Sequence, residues 1–196
     1  MMRVVRASDY REMPWKNGGG VTTEIGVFPA GAGLDGFDWR VSTARVERGG
    51  QFSLFPGVDR TLAILEGDAI ELTVGGAAPV VLDAGSEAFF FAADVATSAI
   101  LTGGPVVDLN VMTRRGRARH SVRRLDLSTP VEIPLADEVT LVFCVRGAVA
   151  VAGDVPLRLE AQDTLMADRR AANLRLEPGP PSTVFLIAIS SGDHAR

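Results

Sequence analysis

The stretch Leu62–Phe90, LAILEGDAIELTVGGAAPVVLDAGSEAFF, decides the fold. Ile70, Leu72 and Val74 occupy every second position with Glu71 and Thr73 between them, the period of a strand with one buried face. Gly75-Gly76 and the Asp83–Gly85 segment interrupt the pattern where turns belong. The stretch then recurs. Laid over Val142–Met166, VFCVRGAVAVAGDVPLRLEAQDTLM, it places Gly67 on Gly147 at an offset of 80. After a three-residue contraction, PVVLDA at 79–84 falls on PLRLEA at 156–161. Further on, Pro105 aligns with Pro181, which sets VVDLNVM against STVFLIA. A repeat near 80 residues is one β-barrel-sized unit, so two similar β halves are expected, joined by the polar segment 114–130.

The rest of the chain agrees. FDWRVS alternates, EAFFFAA, VTLVFCVRG and TVFLIAIS are β-rich, and no amphipathic helix longer than three turns is recognisable, so the chain reads as all-β. At 196 residues it is long enough to bury a substantial core, and 46% hydrophobic with 22% charged residues suits a globular protein. A net charge of −4 and a pI near 5.2 argue against a nucleic-acid binder. The run RRGRARHSVRR, Arg114–Arg124, holds six arginines and no acid, and reads either as a solvated loop or edge strand or as an anion site.

Cys144 stands alone in LVFCV, which rules out an internal disulfide and predicts a buried small hydrophobe. No window approaches eighteen apolar residues and the N-terminus lacks a signal-peptide core, so the expected setting is cytoplasmic, without membrane partners. The two histidines, His120 and His194, do not form a ligand pair, and no nucleophile elbow occurs. No metal, cofactor or catalytic residue is therefore expected.

The repeat carries a functional clue. Asp108 and Asn110 share one strand face, and their counterparts Val184 and Leu186 are apolar. The polar pair marks either a ligand-lined cavity peculiar to the first half or a face open to solvent. PWKNGGGVTTE, Pro14–Glu24, raises a similar choice: its glycines suit a tight turn or a nest of N–H groups for an anion, but not a phosphate loop. Lys16 is the one lysine beside nineteen arginines, which suggests a specific role for a compact ammonium. Arg40 and Arg60 are candidates to bind a carboxylate, with Glu24 and Asp108 to orient them or to act in acid–base chemistry.

MPWKNGGGVTTEI, FDWRVSTARV, GQFSLFPGVDRTLAILEGD and GGPVVDLNVMTRRG, in this order, resemble the HutD/Ves family over about residues 10–118. The resemblance implies a double cupin, two small jelly-roll-like β-barrels in one chain, with a motif-bearing first half at 1–118 and a degenerate second half at 119–196. It also implies a regulator, or governor, of histidine utilisation that binds an N-formylglutamate-like carboxylate; cupins often hold a metal through histidines and a glutamate, but the lack of a histidine pair here points to a site without metal or cofactor. Carried over residue by residue, its motifs select Trp15, Lys16, Asn17, Gly18, Thr22, Glu24, Trp39, Arg40, Asp59, Arg60, Asp108, Asn110 and Arg114 as the ligand pocket. Two other classes stay open: a metal-independent isomerase, lyase or hydrolase using Lys16 and Glu24, and a protein-interaction module. A homodimer is plausible for a cupin.

Overall fold

The computed structural model describes residues 2–15, 19–152, 157–170 and 173–192. The chain opens with β1 (Met2–Val5) and one 3-10 turn, Ala7–Asp9; no α-helix occurs among the described residues. It divides into two compact units. The first, Arg11–Arg119 with Gly192–Arg196, contains β2 (Arg11–Pro14), β3 (Gly20–Phe28), β4 (Trp39–Val46), β5 (Gly50–Gln51), β6 (Val58–Glu66), β7 (Ala69–Val74), β8 (Val80–Asp83), β9 (Phe89–Ala92), β10 (Thr97–Leu101) and β11 (Val106–Arg114). The second, Met1–Tyr10 with His120–Ser191, contains β1, most of β12 (Ala118–Leu127), β13 (Val131–Pro134), β14 (Val139–Arg146), β15 (Val149–Val151), β16 (Leu157–Leu159), β17 (Thr164–Asp168), β18 (Asn173–Pro178) and β19 (Ser182–Ser191).

Each unit pairs two separate sheets rather than closing one barrel. In the first, the orders are β2-β3-β4-β11-β6-β9 and β5-β10-β7-β8; in the second, β1-β17-β14-β19-β12 and β13-β18-β15-β16. Strands distant in sequence lie side by side, as in a jelly roll. The first core gathers Ala44, Leu62, Ile64 and Val106 from the large sheet with Ile70, Leu72, Leu82 and Ala99 from the small one. The second gathers Val142, Cys144, Leu165, Val184 and Leu186 with Val149, Leu159, Leu174 and Leu176. Cys144 is fully buried there, and burial pushes its thiol up to about 11, so it behaves as the expected small hydrophobe.

The N-terminal residues depart from the division at 118. β1 pairs antiparallel with β17, Met2 opposite Ala167 through Val5 opposite Thr164. Arg6 Nη1 lies 2.6 Å from Asp163, and the Tyr10 hydroxyl donates to the Gln162 carbonyl at 2.7 Å. Four residues of strand without a neighbouring turn say nothing about which sheet they join, so residues 1–10 are assigned by these contacts alone. The segment 114–130 also departs from a simple connector, because most of it is the ten-residue strand β12, at the edge of its sheet.

The internal repeat extends to individual cross-strand pairs. On β11 and β6, Asp108 faces Ile64, Asn110 faces Leu62 and Met112 faces Arg60. On β19 and β14, Val184 faces Cys144, Leu186 faces Val142 and Ala188 faces Thr140. Each residue of the second set stands where the repeat alignment places its counterpart. The bulge is repeated as well: Val107 faces Glu66 and Thr183 faces Arg146, so Leu65 and Val145 are the extra residues.

The residue that ends each bulged strand is the aligned glycine. Gly67 has φ +96° and Gly147 φ +81°. A Cβ on Gly67 would come 2.5 Å from the Pro105 carbonyl oxygen, and one on Gly147 2.9 Å from that of Pro181. Both close approaches are to backbone, which cannot swing aside. We expect Gly67→Ala and Gly147→Ala each to lose about 1–3 kcal/mol of stability in urea unfolding, the range for a left-handed non-glycine residue with added crowding.

Candidate functional site

The inner face of the six-stranded sheet is polar in the middle and apolar at both ends. Val46, Ile64 and Val106 belong to the core on one side, while Val58 and Met112 join Phe37 and Ala93 on the other. Between them Glu24 and Thr22 of β3, Arg40 and Ser42 of β4, Asp108 and Asn110 of β11 and Arg60 of β6 share one face, because strand side chains alternate and the register sets Glu24 opposite Ser42 and Ser42 opposite Asn110. Arg40, Ser42, Asp108 and Asn110 are 6%, 2%, 3% and 4% exposed.

Such burial requires partners, and two chains of bonds supply them. Arg60 donates from Nε (2.7 Å) and Nη2 to Asn110 Oδ1, and Asn110 Nδ2 donates to Asp108 Oδ1 at 2.5 Å. The amide accepts from the cation on one side and donates to the carboxylate on the other, which no apolar or purely acidic side chain of its size does. Arg40 donates from Nε to Glu24 Oε2 at 2.9 Å and from Nη1 to Ser42 Oγ at 3.3 Å. The Arg60 guanidinium also lies 4.5 Å from the ring centre of Phe52 and 5.8 Å from that of Phe91.

The charges are held away from their ordinary values. Burial pushes Asp108 up to about 6, against the opposing pull of Arg60, the Asn110 amide and the Ala44 N–H. Burial, with Arg40 nearby, brings Arg60 down to about 10, against the opposing effect of Asp108. Arg60 stays cationic at neutral pH. Among the described residues neither Nη1 of Arg60 nor Nη2 of Arg40 has a hydrogen-bond partner, and neither atom is sealed from solvent. Two guanidinium edges are therefore available on either side of Met112, with which both Arg40 and Arg60 pair.

Of the thirteen residues chosen from sequence, Glu24, Arg40, Arg60, Asp108 and Asn110 form this cluster. Trp15 and Thr22 adjoin it: the Trp15 indole packs on the core and its Nε1 donates to Thr22 Oγ1 at 2.7 Å. Gly20, whose carbonyl accepts from the Trp15 N–H, has no room for a Cβ, since one would lie 2.3 Å from the Arg45 carbonyl oxygen. Lys16, Asn17 and Gly18 lie outside the described residues.

Three choices lie elsewhere. Trp39 and Asp59 precede Arg40 and Arg60 and so face the other side of the sheet. Trp39 stacks on Phe28 at 6.3 Å, and Asp59 receives Arg115 Nη1 at 2.9 Å. Arg114 donates to the carbonyls of Phe37, Pro56 and Asp35 and clamps two loops. The arginine run is largely engaged too: Arg115 also meets Asp94, Arg117 meets Asp38 and Arg124 meets Asp126. Sequence reading missed Ser42, Phe52 and Phe91. Ser42 was legible, standing two residues after Arg40 in WRVS; the phenylalanines come from β9 and from a segment before β6, and only the tertiary fold brings them together. Among the described residues no group of three or more His, Cys, Asp or Glu side chains could hold a metal ion, and no helix is long and apolar enough to cross a membrane.

The relay makes two measurable demands. Asn110→Leu leaves Arg60 and Asp108 buried without their shared partner and should cost about 3 kcal/mol in urea unfolding. Asp108 titrates near 6 in the fold against 3.8 in the unfolded chain, so between those values the native state holds the extra proton. Its contribution is full below about 4 and lost as pH rises through about 6. Stability of the wild type relative to Asp108→Asn should accordingly fall across that window, as followed by chemical denaturation at each pH.

The comparisons with known proteins agree with this architecture. A protein from the hutC 3′ region of Pseudomonas putida is 35% identical over 178 residues, 90% of this chain and 92% of that one. Protein Ves of Citrobacter koseri is 43% identical over 122 residues, 60% of this chain and 62% of its own. Among solved structures, a conserved protein of unknown function from Pseudomonas aeruginosa PAO1 covers 97% of this chain and 100% of its own at TM-score 0.89 and 34% identity. HutD from Pseudomonas fluorescens SBW25, in a formate condition, covers 97% and 99% at TM-score 0.84 and 34% identity. YhhW of Escherichia coli, a bacterial pirin, covers the whole of both chains at TM-score 0.73 but only 12% identity, which speaks for the double-cupin fold alone. The HutD family model matches residues 7–185, and the chain belongs to the HutD family.

Proposed function

We propose that the protein is a metal-free ligand-binding regulator of histidine utilisation whose first unit takes an N-formylglutamate-like carboxylate. The observation that carries this reading is the pair of open guanidinium edges on Arg40 and Arg60, each arginine fixed by its other nitrogens. A carboxylate placed between them would accept charge-assisted bonds and relieve the mutual repulsion that helps lower Arg60. Because Asn110 and Glu24 hold the cations in place beforehand, binding would cost little ordering. The tie to histidine utilisation rests on the relatives, one named HutD and another from a hutC region. Lys16, Asn17 and Gly18 enter this reading through the sequence only.

The enzyme alternative finds less support. Glu24, its proposed acid–base group, has Oε2 engaged by Arg40 at 2.9 Å, so proton transfer there would first have to break an ion pair. Titration calorimetry with N-formylglutamate, urocanate and glutamate is the test. N-formylglutamate should bind, and Arg60→Gln should weaken it about tenfold to a hundredfold, the worth of one or two bonds to a charged donor. If folded protein binds none of the three, the ligand proposal is wrong.

A further inference from the structure

The second unit repeats the scaffold of the first but changes what fills it. Where Arg60 pairs with Met112 on the first inner face, Thr140 pairs with Ala188 on the second. A guanidinium and a thioether are replaced by a hydroxyl and a methyl. At this place lies a cavity of about 140 Å³, lined among others by Ser121, Arg123, Ile133, Asp137, Thr140 and Leu186. All of its lining residues belong to the second unit. A cavity of roughly 150 Å³ suffices for benzene, so a compact organic molecule fits.

Three side chains indicate what kind. Thr140 is 4% exposed, lines the cavity and has no hydrogen-bond partner for its hydroxyl among the described residues. Asp137 is fixed by the Ser190 hydroxyl, which donates to Oδ1 at 2.5 Å, while Oδ2 has no partner among the described residues. Arg123 is exposed and, unlike Arg115, Arg117 and Arg124 of the same run, makes no ion pair among the described residues. Arg123 and Asp137 share the cavity wall, yet no ion pair joins them. Opposite charges held apart across a small space fit a molecule that carries both, whereas a simple anion would be opposed by Asp137 and a simple cation by Arg123.

We infer that this second-unit cavity binds a zwitterionic α-amino acid, its carboxylate on Arg123 and the Thr140 and Ser121 hydroxyls, its ammonium on Asp137 and its first side-chain carbons against Ile133 and Leu186. The site is separate from the carboxylate site of the first unit and stands or falls without it.

The test is an NMR titration of the full chain with L-alanine, propionate and propylamine, read at the backbone amides of β14 and β19. L-alanine should shift amides around Thr140 and Ala188, with propionate and propylamine about tenfold weaker or worse. Arg123→Gln and Asp137→Asn should each weaken L-alanine about tenfold, while Arg158→Gln, an exposed position away from the cavity, should not. Thr140→Val, which keeps the shape and removes the hydroxyl, should weaken it without unfolding the sheet. Propionate binding as tightly as L-alanine would make this a plain anion site and overturn the inference. So would wild-type protein that shows no shift at tens of millimolar, or an Arg123→Gln variant that binds unchanged.

Discussion

The pairing of β11 with β6, bulged at Leu65 and ended by Gly67, is the constraint on which the rest depends. A strand exchanges its two faces with every single-residue slip, so the bulge decides which side chains of β6 look inward. With it in place, Leu62 and Ile64 lie in the core and Arg60 comes beside Asn110. The left-handed glycine then lets the chain pass against the Pro105 carbonyl, where any side chain would collide. The same arrangement at Val145, Gly147 and Pro181 builds the second unit. One local device, used twice, thus fixes two cores in a chain whose other strands vary in length and order.

What differs is the content of three cross-strand pairs. In the second unit the pairs Val184–Cys144 and Leu186–Val142 are apolar, and the scaffold needs nothing more to hold its sheets. In the first, Asp108 and Asn110 replace a valine and a leucine at buried positions. An unpartnered carboxylate or amide there would cost several kcal/mol, so the substitution survives only as a connected set. Asn110 supplies the connection by separating Arg60 from Asp108 with an amide bonded to both. A buried ionic set of this kind commonly stabilises a fold no more than apolar residues of similar volume, such as those at the equivalent positions of the second unit, and this supports the binding role proposed above.

Much of this was legible in the sequence. The period-two runs showed the strands, and the Gly67–Gly147 and Pro105–Pro181 alignments showed the repeat, because glycine and proline report backbone geometry that few other residues can adopt. Asp108 and Asn110 stood out for another reason, as polar residues at positions whose counterparts in the repeat, Val184 and Leu186, were apolar. Trp39, Asp59 and Arg114 were less readable. Each adjoins a cluster residue or shares its motif, but strand alternation turns Trp39 and Asp59 to the opposite face, and loop carbonyls occupy Arg114. Motif membership records that residues matter together without saying which face they use. The placement of β1 was not readable at all, since the partner of a four-residue strand is decided by contacts more than 150 positions away.

The two units also fill one scaffold in two ways. In the second unit the rows nearest the bulge, Val184–Cys144 and Leu186–Val142, are apolar and polar side chains begin at the next row, Thr140–Ala188, whereas in the first Asp108 and Asn110 bring them up to the bulge and Arg60, paired with Met112 in that next row, continues them. From the bulge along the strands, the first unit carries its ionic cluster from Asp108 to Arg60, while the second passes from hydrophobes to an open cavity with its charges on the walls. Large side chains at that row fill the first unit's inner face and present guanidinium edges; small ones in the second leave room for a guest. The bulge and its glycine tie down the other end of the strands in both. Changes at that row can therefore alter the chemistry of the inner face while leaving intact the register that the fold requires.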